Sequence, residues 1–288
     1  NPARHPRHRN QRCFWRCGGI VLRLIEPSHQ NTLRREERPM SQLVTYQSEG
    51  RIAHIQLNRA DKLNALSNGL VAELRDRLEE FQASDDRVAV ISAAGEKAFS
   101  VGADLKDPPR DPELWECMPG TGVFIDKPLI AAVQGYVVGG AYCLVQFCDL
   151  AVADETADFF YPEAQIGFCG GMIASHAARV PYKLAMEFML TGKHFSAQRA
   201  YEAGMVNKVV PKGQAVEGAM EYARILADSA PLVMSALCRF TRETVLPRGP
   251  SEEAGLARKQ LLRVSRSADQ QEGGKAFREK RTPSFQGR

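Results

Sequence analysis

The sequence predicts an α/β fold in which strands and helices alternate in a core and helices alone follow. Short apolar runs that end at turn residues alternate with helical patterns up to Pro211, whereas the chain after Gly213 has mostly helical patterns. A hydrophobic content of 44% and a charged content of 25% are ordinary for a globular protein. We therefore divide the chain into a basic extension (residues 1–40), an α/β core (41–210) and a helical C-terminal region (211–288).

The positive charge of the chain is concentrated in its first 40 residues. These contain nine Arg and three Glu, a formal charge of +6, so the other residues carry −2 of the net +4. Three interpretations stay open: a transit peptide, a weakly RNA-binding arm, or a segment that is not part of the native protein. We favour the third and expect the functional chain to begin at Met40, because the preceding Arg-Arg-Glu-Glu is what a translated ribosome-binding site would encode.

The rest of the chain gives no reason to expect nucleic-acid or membrane binding. No uninterrupted apolar run is long enough to span a bilayer. The seven cysteines are odd in number and lack metal-ligand spacing, which predicts reduced thiols and no metal site. We expect a cytoplasmic protein, or one of the mitochondrial matrix if residues 1–40 are a transit peptide.

The first elements follow from alternation and helical spacing. Residues 43–46 and 52–57 alternate apolar and polar side chains around Ser-Glu-Gly at 48–50, which predicts a hairpin. Ser67 is a candidate N-cap of a helix that ends near Ala83.

The later elements follow from the same signals. They are strands at 88–91, 129–133, 150–153 and 206–210, helices at 170–179, 184–190 and 196–203, and a C-terminal helical run broken near Pro231, 247–250 and Gly273. Residues 105–126 are rich in Pro and Gly, which predicts a loop with at most one short helix.

Two glycine-containing turns predict a site for negative charge. The apolar run 129–133 ends at Gln134-Gly135, and an apolar segment restarts as a helix at Gly139-Gly140. A helix start leaves free backbone N–H groups, which favour a phosphate or an oxyanion. The turn at 98–106 follows the run 88–91, so that two strand ends could each donate one N–H to the same oxygen.

Glu163 is the candidate acid/base of this site. It lies on a turn that Pro162 restricts. Its neighbours are largely apolar: Phe159, Phe160, Tyr161, Ile166 and Phe168. An apolar pocket would raise the pKa of the carboxyl group and suit it to proton transfer, whereas the alternative is a solvated surface glutamate. An anion hole beside one carboxylate suits removal of a proton next to a carbonyl.

Several segments, in order from about residue 42 to the C-terminus, carry a resemblance. They are NRADKLNAL (58–66), AFSVGADLK (98–106), KPLIAAVQGYVVGGAYC (127–143), YPEAQIGF (161–168), LTGKHFSAQRAYEAGMVNKVVP (190–211) and GGKAFREKRTPSF (273–285). Together they resemble the enoyl-CoA hydratase/isomerase (crotonase) superfamily. The resemblance implies a crotonase-like spiral of stacked β-β-α turns, a C-terminal helical region used in trimer contacts, and assembly into trimers or hexamers.

The resemblance also implies roles for individual residues. The backbone N–H groups of Ala103 and Gly140 would form an oxyanion hole, and Glu163 would be the acid/base. The expected CoA-binding residues are Arg59, Lys62, Ala65, Asp104, Leu105, Lys106, Phe277 and Lys280, of which the last two often complete the site, sometimes from a neighbouring subunit. Asp104 could instead cap a local turn. Coenzyme A would enter as part of an acyl-CoA thioester substrate, and no separate cofactor is expected.

The loop 105–126 corresponds to the region that usually lines the acyl pocket in relatives. Trp115, Met118 and Phe124 therefore either contact the acyl group or pack locally.

Cys143 departs from the pattern of typical hydratases, which carry a second glutamate three positions after the oxyanion-hole glycine. A thiol is a poor substitute for a carboxylate that activates water, and packing explains Cys143 better than nucleophilic catalysis. The choice between hydration and double-bond isomerisation stays open, with the single glutamate favouring isomerisation. A catalytically weak CoA-binding or scaffold protein, and thioester hydrolysis, decarboxylation or C–C cleavage, are further alternatives.

Overall fold

Two β-sheets, built from the short apolar runs of the sequence, organise the molecule. The structure is a computed structural model that describes residues 43–288, so the extension 1–40 and its proposed start at Met40 lie outside the described residues. The strands are β1 (Val44–Glu49), β2 (Ile52–Leu57), β3 (Val88–Ala93), β4 (Ala98–Ser100), β5 (Leu129–Val133), β6 (Tyr136–Val138), β7 (Leu150–Asp154), β8 (Asp158–Phe160), β9 (Phe195–Ser196) and β10 (Lys208–Val210).

Helices cover these sheets and form most of the chain after β10. They are α1 (Asn68–Ala83), α2 (Gly140–Gln146), α3 (Glu163–Ile166), α4 (Tyr182–Thr191), α5 (Ala197–Glu202), α6 (Ala215–Ala227), α7 (Pro231–Phe240), α8 (Pro250–Ser265) and α9 (Ala268–Glu279). Short 3₁₀ helices lie at Ala60–Lys62, Leu114–Cys117 and Met172–Ala178, and a π-helical turn lies at Thr241–Val245.

The larger sheet has the strand order β1-β2-β3-β5-β7-β10. Its first pair is the antiparallel hairpin, and the other pairs are parallel. Strand β3 is buried on both faces: Ala89 and Ile91 join one hydrophobic cluster, whereas Val88 and Val90 join the other. This explains why β3 reads as a continuous apolar run rather than as an alternating one.

Helices α1 and α6 pack on the larger sheet. Helix α1 begins where the Ser67 hydroxyl accepts a hydrogen bond from the Leu70 N–H at 3.3 Å. Its apolar residues Leu70, Leu74, Leu78 and Phe81 recur at helical spacing and are fully buried. Helix α6 presents alanines at four-residue spacing, and its Gly218 allows close approach, because a Cβ there would lie 3.0 Å from Val152 and Val210.

The smaller sheet positions the functional residues. Its order is β4-β6-β8-β9, and its first three strands run parallel. The carboxyl ends of parallel neighbours meet at one edge, where loops of different sequence origin converge. The two glycine turns and Glu163 follow β4, β6 and β8, so this small sheet brings them together.

The structure confirms most predicted elements and corrects three. The strands β4, β6, β8 and β9 were not predicted, because two or three residues are too few to show a period. The helix predicted from residue 170 is a 3₁₀ helix at Met172–Ala178. The helix break predicted at Gly273 is wrong, because α9 runs through this residue. The helical run is interrupted instead between Ser265 and Ser267, whose hydroxyl caps α9.

The described residues 43–288 lie within one compact unit by their contacts. The division of this region at residue 210 and the role of the C-terminal helices in trimer contacts stay predictions. Among the described residues, no helix is both long and apolar enough to cross a membrane.

Candidate active site

A cavity of about 770 Å³ lies at the carboxyl ends of β4, β6 and β8. Five of the predicted catalytic and CoA-binding residues line it: Ala103, Asp104, Leu105, Gly140 and Glu163. Tyr161, which the sequence analysis named only as an apolar neighbour of Glu163, also lines it. So do residues that no sequence signal had assigned to a site, among them Glu113, Ser251 and Arg258. Helix α8 provides one wall, with residues 251, 254, 255 and 258 at helical spacing.

Two backbone N–H groups at this edge have no hydrogen-bond acceptor in residues 43–288. Leu66 donates to the Gly102 carbonyl at 2.8 Å, and Asp104 donates to the Leu66 carbonyl at 3.0 Å, which leaves the N–H of Ala103 between them unused. Gly140 is the first residue of α2, and its N–H likewise makes no hydrogen bond within the described chain.

The two turns that carry these N–H groups touch each other. A Cβ on Gly102 would lie 2.8 Å from the Val138 carbonyl oxygen and 3.5 Å from the Gly140 nitrogen. Gly102 has a φ of +81°, which also favours glycine. Two unused donors thus belong to neighbouring residues of the cavity wall, an arrangement compatible with an oxyanion hole.

Glu163 is buried in the wall of the cavity rather than solvated. It is the first residue of α3, its residue exposure is 7%, and its Oε2 has no hydrogen-bond partner in the described chain. Burial raises the pKa of the carboxyl group to about 7. A carboxyl group with this pKa can both take and return a proton near neutral pH.

Gly139 allows the turn at residues 139–140 to lie close to the Glu163 carboxylate. Its φ of +54° and ψ of −118° are accessible mainly to glycine. A Cβ on Gly139 would lie 2.5 Å from Glu163 Oε1. The absence of a side chain here lets the acid/base candidate and the start of α2 share one small volume.

Cys143 lies on α2 one turn after Gly140 and also lines the cavity. Its exposure is 2%, and its thiol pKa is raised by burial and then by the charge of Glu163. The thiol therefore stays protonated at neutral pH and cannot serve as a base.

Arg59 and Asp104 stabilise the turn at residues 98–106, which carries the Ala103 N–H. The Arg59 guanidinium contacts the Asp104 carboxylate at 2.6 Å and donates to the Ala65 carbonyl at 3.1 Å. Asp104 also accepts hydrogen bonds from the N–H groups of Lys106 (2.8 Å) and Asp107 (3.2 Å), and the Arg59 hydrogen bond lowers the pKa of Asp104. Asp104 thus caps a local turn, as the alternative interpretation expected.

The other candidate CoA residues do not line the cavity. Arg59, Lys62, Ala65 and Lys106 are not among its lining residues. Phe277 and Lys280 lie at the end of α9 and outside the lining set, and Phe277 is 86% exposed. Within a single chain these two do not meet the other site residues.

The loop after the first oxyanion turn contributes part of the cavity wall. Trp115 lines the cavity and packs close to Gly255 of α8, where a Cβ would lie 3.1 Å from its ring. Met118 is fully buried in the core instead, and Phe124 is half exposed outside the lining residues. The loop contains one 3₁₀ helix, Leu114–Cys117, which confirms the prediction of at most one short helix.

Comparison with known proteins agrees with this geometry. The family model for enoyl-CoA hydratase/isomerase matches residues 47–288. The chain is 33% identical to (E)-benzylidenesuccinyl-CoA hydratase of Thauera aromatica, over 85% of this chain and 99% of that protein. It is also 33% identical to 2,3-dehydroadipyl-CoA hydratase of Escherichia coli strain K12, over 86% of this chain and all of that protein.

A solved structure shows the same fold. The carnitinyl-CoA hydratase of Mycobacterium avium superposes with a TM-score of 0.68 at 33% identity and covers 86% of this chain and all of its own. The α/β core with C-terminal helices is thus a crotonase fold, and the chain belongs to the enoyl-CoA hydratase/isomerase family.

Proposed function

We propose that this protein catalyses the reversible addition of water to the 2,3-double bond of an enoyl-CoA thioester. One observation carries the proposal: the buried carboxyl group of Glu163, with an unpartnered oxygen, lines the same cavity as two unused backbone N–H groups. A proton-transfer group beside an oxyanion hole suits chemistry at the α-carbon of a thioester.

In the proposed reaction the thioester carbonyl oxygen accepts hydrogen bonds from the N–H groups of Ala103 and Gly140. Ionised Glu163 takes one proton from water while the water oxygen bonds to the β-carbon. The electron pair of the double bond moves to the carbonyl oxygen and forms an enolate. Glu163 then returns the proton to the α-carbon, and the carbonyl re-forms. Each N–H donor is worth about 3–4 kcal/mol of barrier.

The names of the relatives support hydration as the finer reaction, because those reported above are hydratases. Double-bond isomerisation is the second candidate. Cys143 favours it, since this thiol cannot replace a water-activating carboxylate, whereas one glutamate is enough to move a proton between two allylic carbons.

We further propose that Phe277 and Lys280 complete the CoA site of a neighbouring subunit in a trimer or hexamer. The exposure of Phe277 and its position outside the lining of its own chain's cavity support this arrangement. Arg59 would act by bracing the oxyanion turn, and Lys62 and Lys106 would meet CoA phosphates. Coenzyme A then enters as part of the substrate, without a separate cofactor, and we place the protein in the cytoplasm.

The test is a product assay with trans-2-enoyl-CoA and with cis- and trans-3-enoyl-CoA esters, analysed by mass. Hydration predicts a gain of about 18 Da from the 2-enoyl ester that is lost in Glu163→Gln. Isomers of unchanged mass, without hydration, would favour the second candidate. Absence of any Glu163-dependent turnover would favour a CoA-binding scaffold.

A further inference from the structure

Tyr161 is a buried polar residue of the cavity that the mechanism above does not use. It lies two residues before Glu163 at the end of β8, lines the same cavity and is 5% exposed. The residue therefore forms part of the cavity wall, close to the acid/base group in sequence.

The hydroxyl group of Tyr161 makes no hydrogen bond to any described residue. Unlike the unpartnered atoms Glu163 Oε2 and His176 Nε2, it is not fully enclosed by protein atoms. The hydroxyl of this cavity-lining residue therefore keeps some accessible surface. By contrast, the buried Tyr142 hydroxyl is bonded to His176 Nδ1 at 3.0 Å. Because buried tyrosine hydroxyls usually have a partner, we expect that of Tyr161 to bind a molecule that enters the cavity.

The charge of Glu163 also acts on this hydroxyl. After burial, the charge of Glu163 is the next largest cause that raises the pKa of Tyr161. The phenol therefore stays protonated at neutral pH, and it can accept and donate hydrogen bonds without ionising.

Hydration needs a second group that holds the attacking water. A water molecule that gives one proton to Glu163 must be oriented through its other O–H bond. The remaining carboxylates that line the cavity, Asp104 and Glu113, are each held by an arginine at 2.6 Å. The Cys143 thiol is a weak hydrogen-bonding group. The Ser251 hydroxyl donates to the Gly170 carbonyl at 2.6 Å. Tyr161 thus carries a cavity hydroxyl that makes no hydrogen bond within the described residues.

We propose that the Tyr161 hydroxyl binds the attacking water opposite Glu163. It would thereby take the role of the second carboxylate, because this chain has Cys143 at the position where typical hydratases have that glutamate. The inference rests on the proposed hydration. One water O–H hydrogen-bonds to the Tyr161 oxygen, and the other proton goes to Glu163 as the C–O bond forms. Tyr161 neither gains nor loses a proton. Removal of the α-hydrogen of a saturated thioester also forms an enolate, but it involves no attacking water. This step therefore does not need the Tyr161 hydroxyl.

The test compares Tyr161→Phe with the wild type in two assays. The first measures hydration of trans-2-butenoyl-CoA, and the second measures exchange of the α-hydrogen of butyryl-CoA in D₂O. We expect the kcat of hydration to fall about 10- to 100-fold, the range expected for one hydrogen bond at a reacting group, while exchange changes less than about threefold. Tyr182→Phe, which removes an exposed hydroxyl outside the cavity lining, is the matched control and should match the wild type in both.

Retained exchange in Tyr161→Phe shows at once that the variant is folded and that Glu163 is in place. Hydration at the wild-type rate in this variant would overturn the inference. So would an equal loss of hydration and exchange, which would mean that Tyr161 only shapes the pocket. A wild type that exchanges but does not hydrate would instead refute the hydration proposal, and so the two failures are distinguishable.

Discussion

Replacing Gly139 with alanine should impair catalysis by displacing Glu163. The added Cβ would lie 2.5 Å from Oε1, whereas ordinary contacts begin at 3.4 Å, so the carboxylate must retreat by about 0.9 Å. A misplacement of about 1 Å can cost about 10²-fold. We therefore expect the kcat of Gly139→Ala to fall about 100-fold in the enoyl-CoA assay. The unusual backbone conformation should also cost about 1–3 kcal/mol of stability.

Gly50→Ala separates these two effects. Gly50 has a similar φ of +59°, but a Cβ there would meet nothing within 4 Å. This variant should lose about 1 kcal/mol of stability, measured by denaturant unfolding, and keep its activity. If Gly139→Ala keeps wild-type kcat, or if Gly50→Ala loses activity equally, the geometry of Glu163 against the oxyanion turn is not what limits turnover.

Three further predictions concern Glu163 and Cys143. With a Glu163 pKa of about 7, kcat/KM should rise about tenfold from pH 5 to 6 and level off above pH 7; a plateau already near pH 5 would contradict a raised pKa. The same shift means that, between pH 4.5 and about 7, Glu163 holds its proton in the native state but has lost it in the unfolded state. The stability of the wild type relative to Glu163→Gln should therefore fall as pH rises through this window and then stay constant. Thermal melts of both proteins at pH 4.5 and 8.5 would measure this difference, and an equal difference at the two pH values would contradict the prediction. Cys143→Ala should change turnover less than about fivefold, because the buried thiol stays protonated; a loss comparable to that of Glu163→Gln would assign Cys143 a chemical role.

The sequence predicted the elements whose periodicity is long enough to see. Helix α1 shows four turns of apolar spacing and a capping serine, and β3 and β5 contain the continuous apolar runs 88–91 and 129–133. The short strands of the smaller sheet could not be predicted, because their pairing is set by neighbours distant in sequence. Gly273 misled the prediction, since a glycine can also lie inside a helix that is capped elsewhere.

Within the candidate site, the glycine turns and Glu163 could be identified because their residue types are chemically specific. The arrangement of the cavity wall could not be predicted from the sequence. Tyr161 reads as one more aromatic residue after β8, and only its position and unpartnered hydroxyl distinguish it. Arg258 of α8 lies about 95 residues after Glu163, and no local pattern indicates that α8 closes the cavity.

The most direct test of the central claim is exchange of the α-hydrogen of butyryl-CoA in D₂O, because a saturated thioester can be neither hydrated nor isomerised. Exchange therefore reports enolate formation at Glu163 and the oxyanion hole alone. We predict that the wild type introduces one deuterium at the α-carbon and that Glu163→Gln does not. Exchange by Glu163→Gln at the wild-type rate would contradict the role of Glu163, and enoyl-CoA turnover by a wild type that never exchanges would contradict the enolate itself.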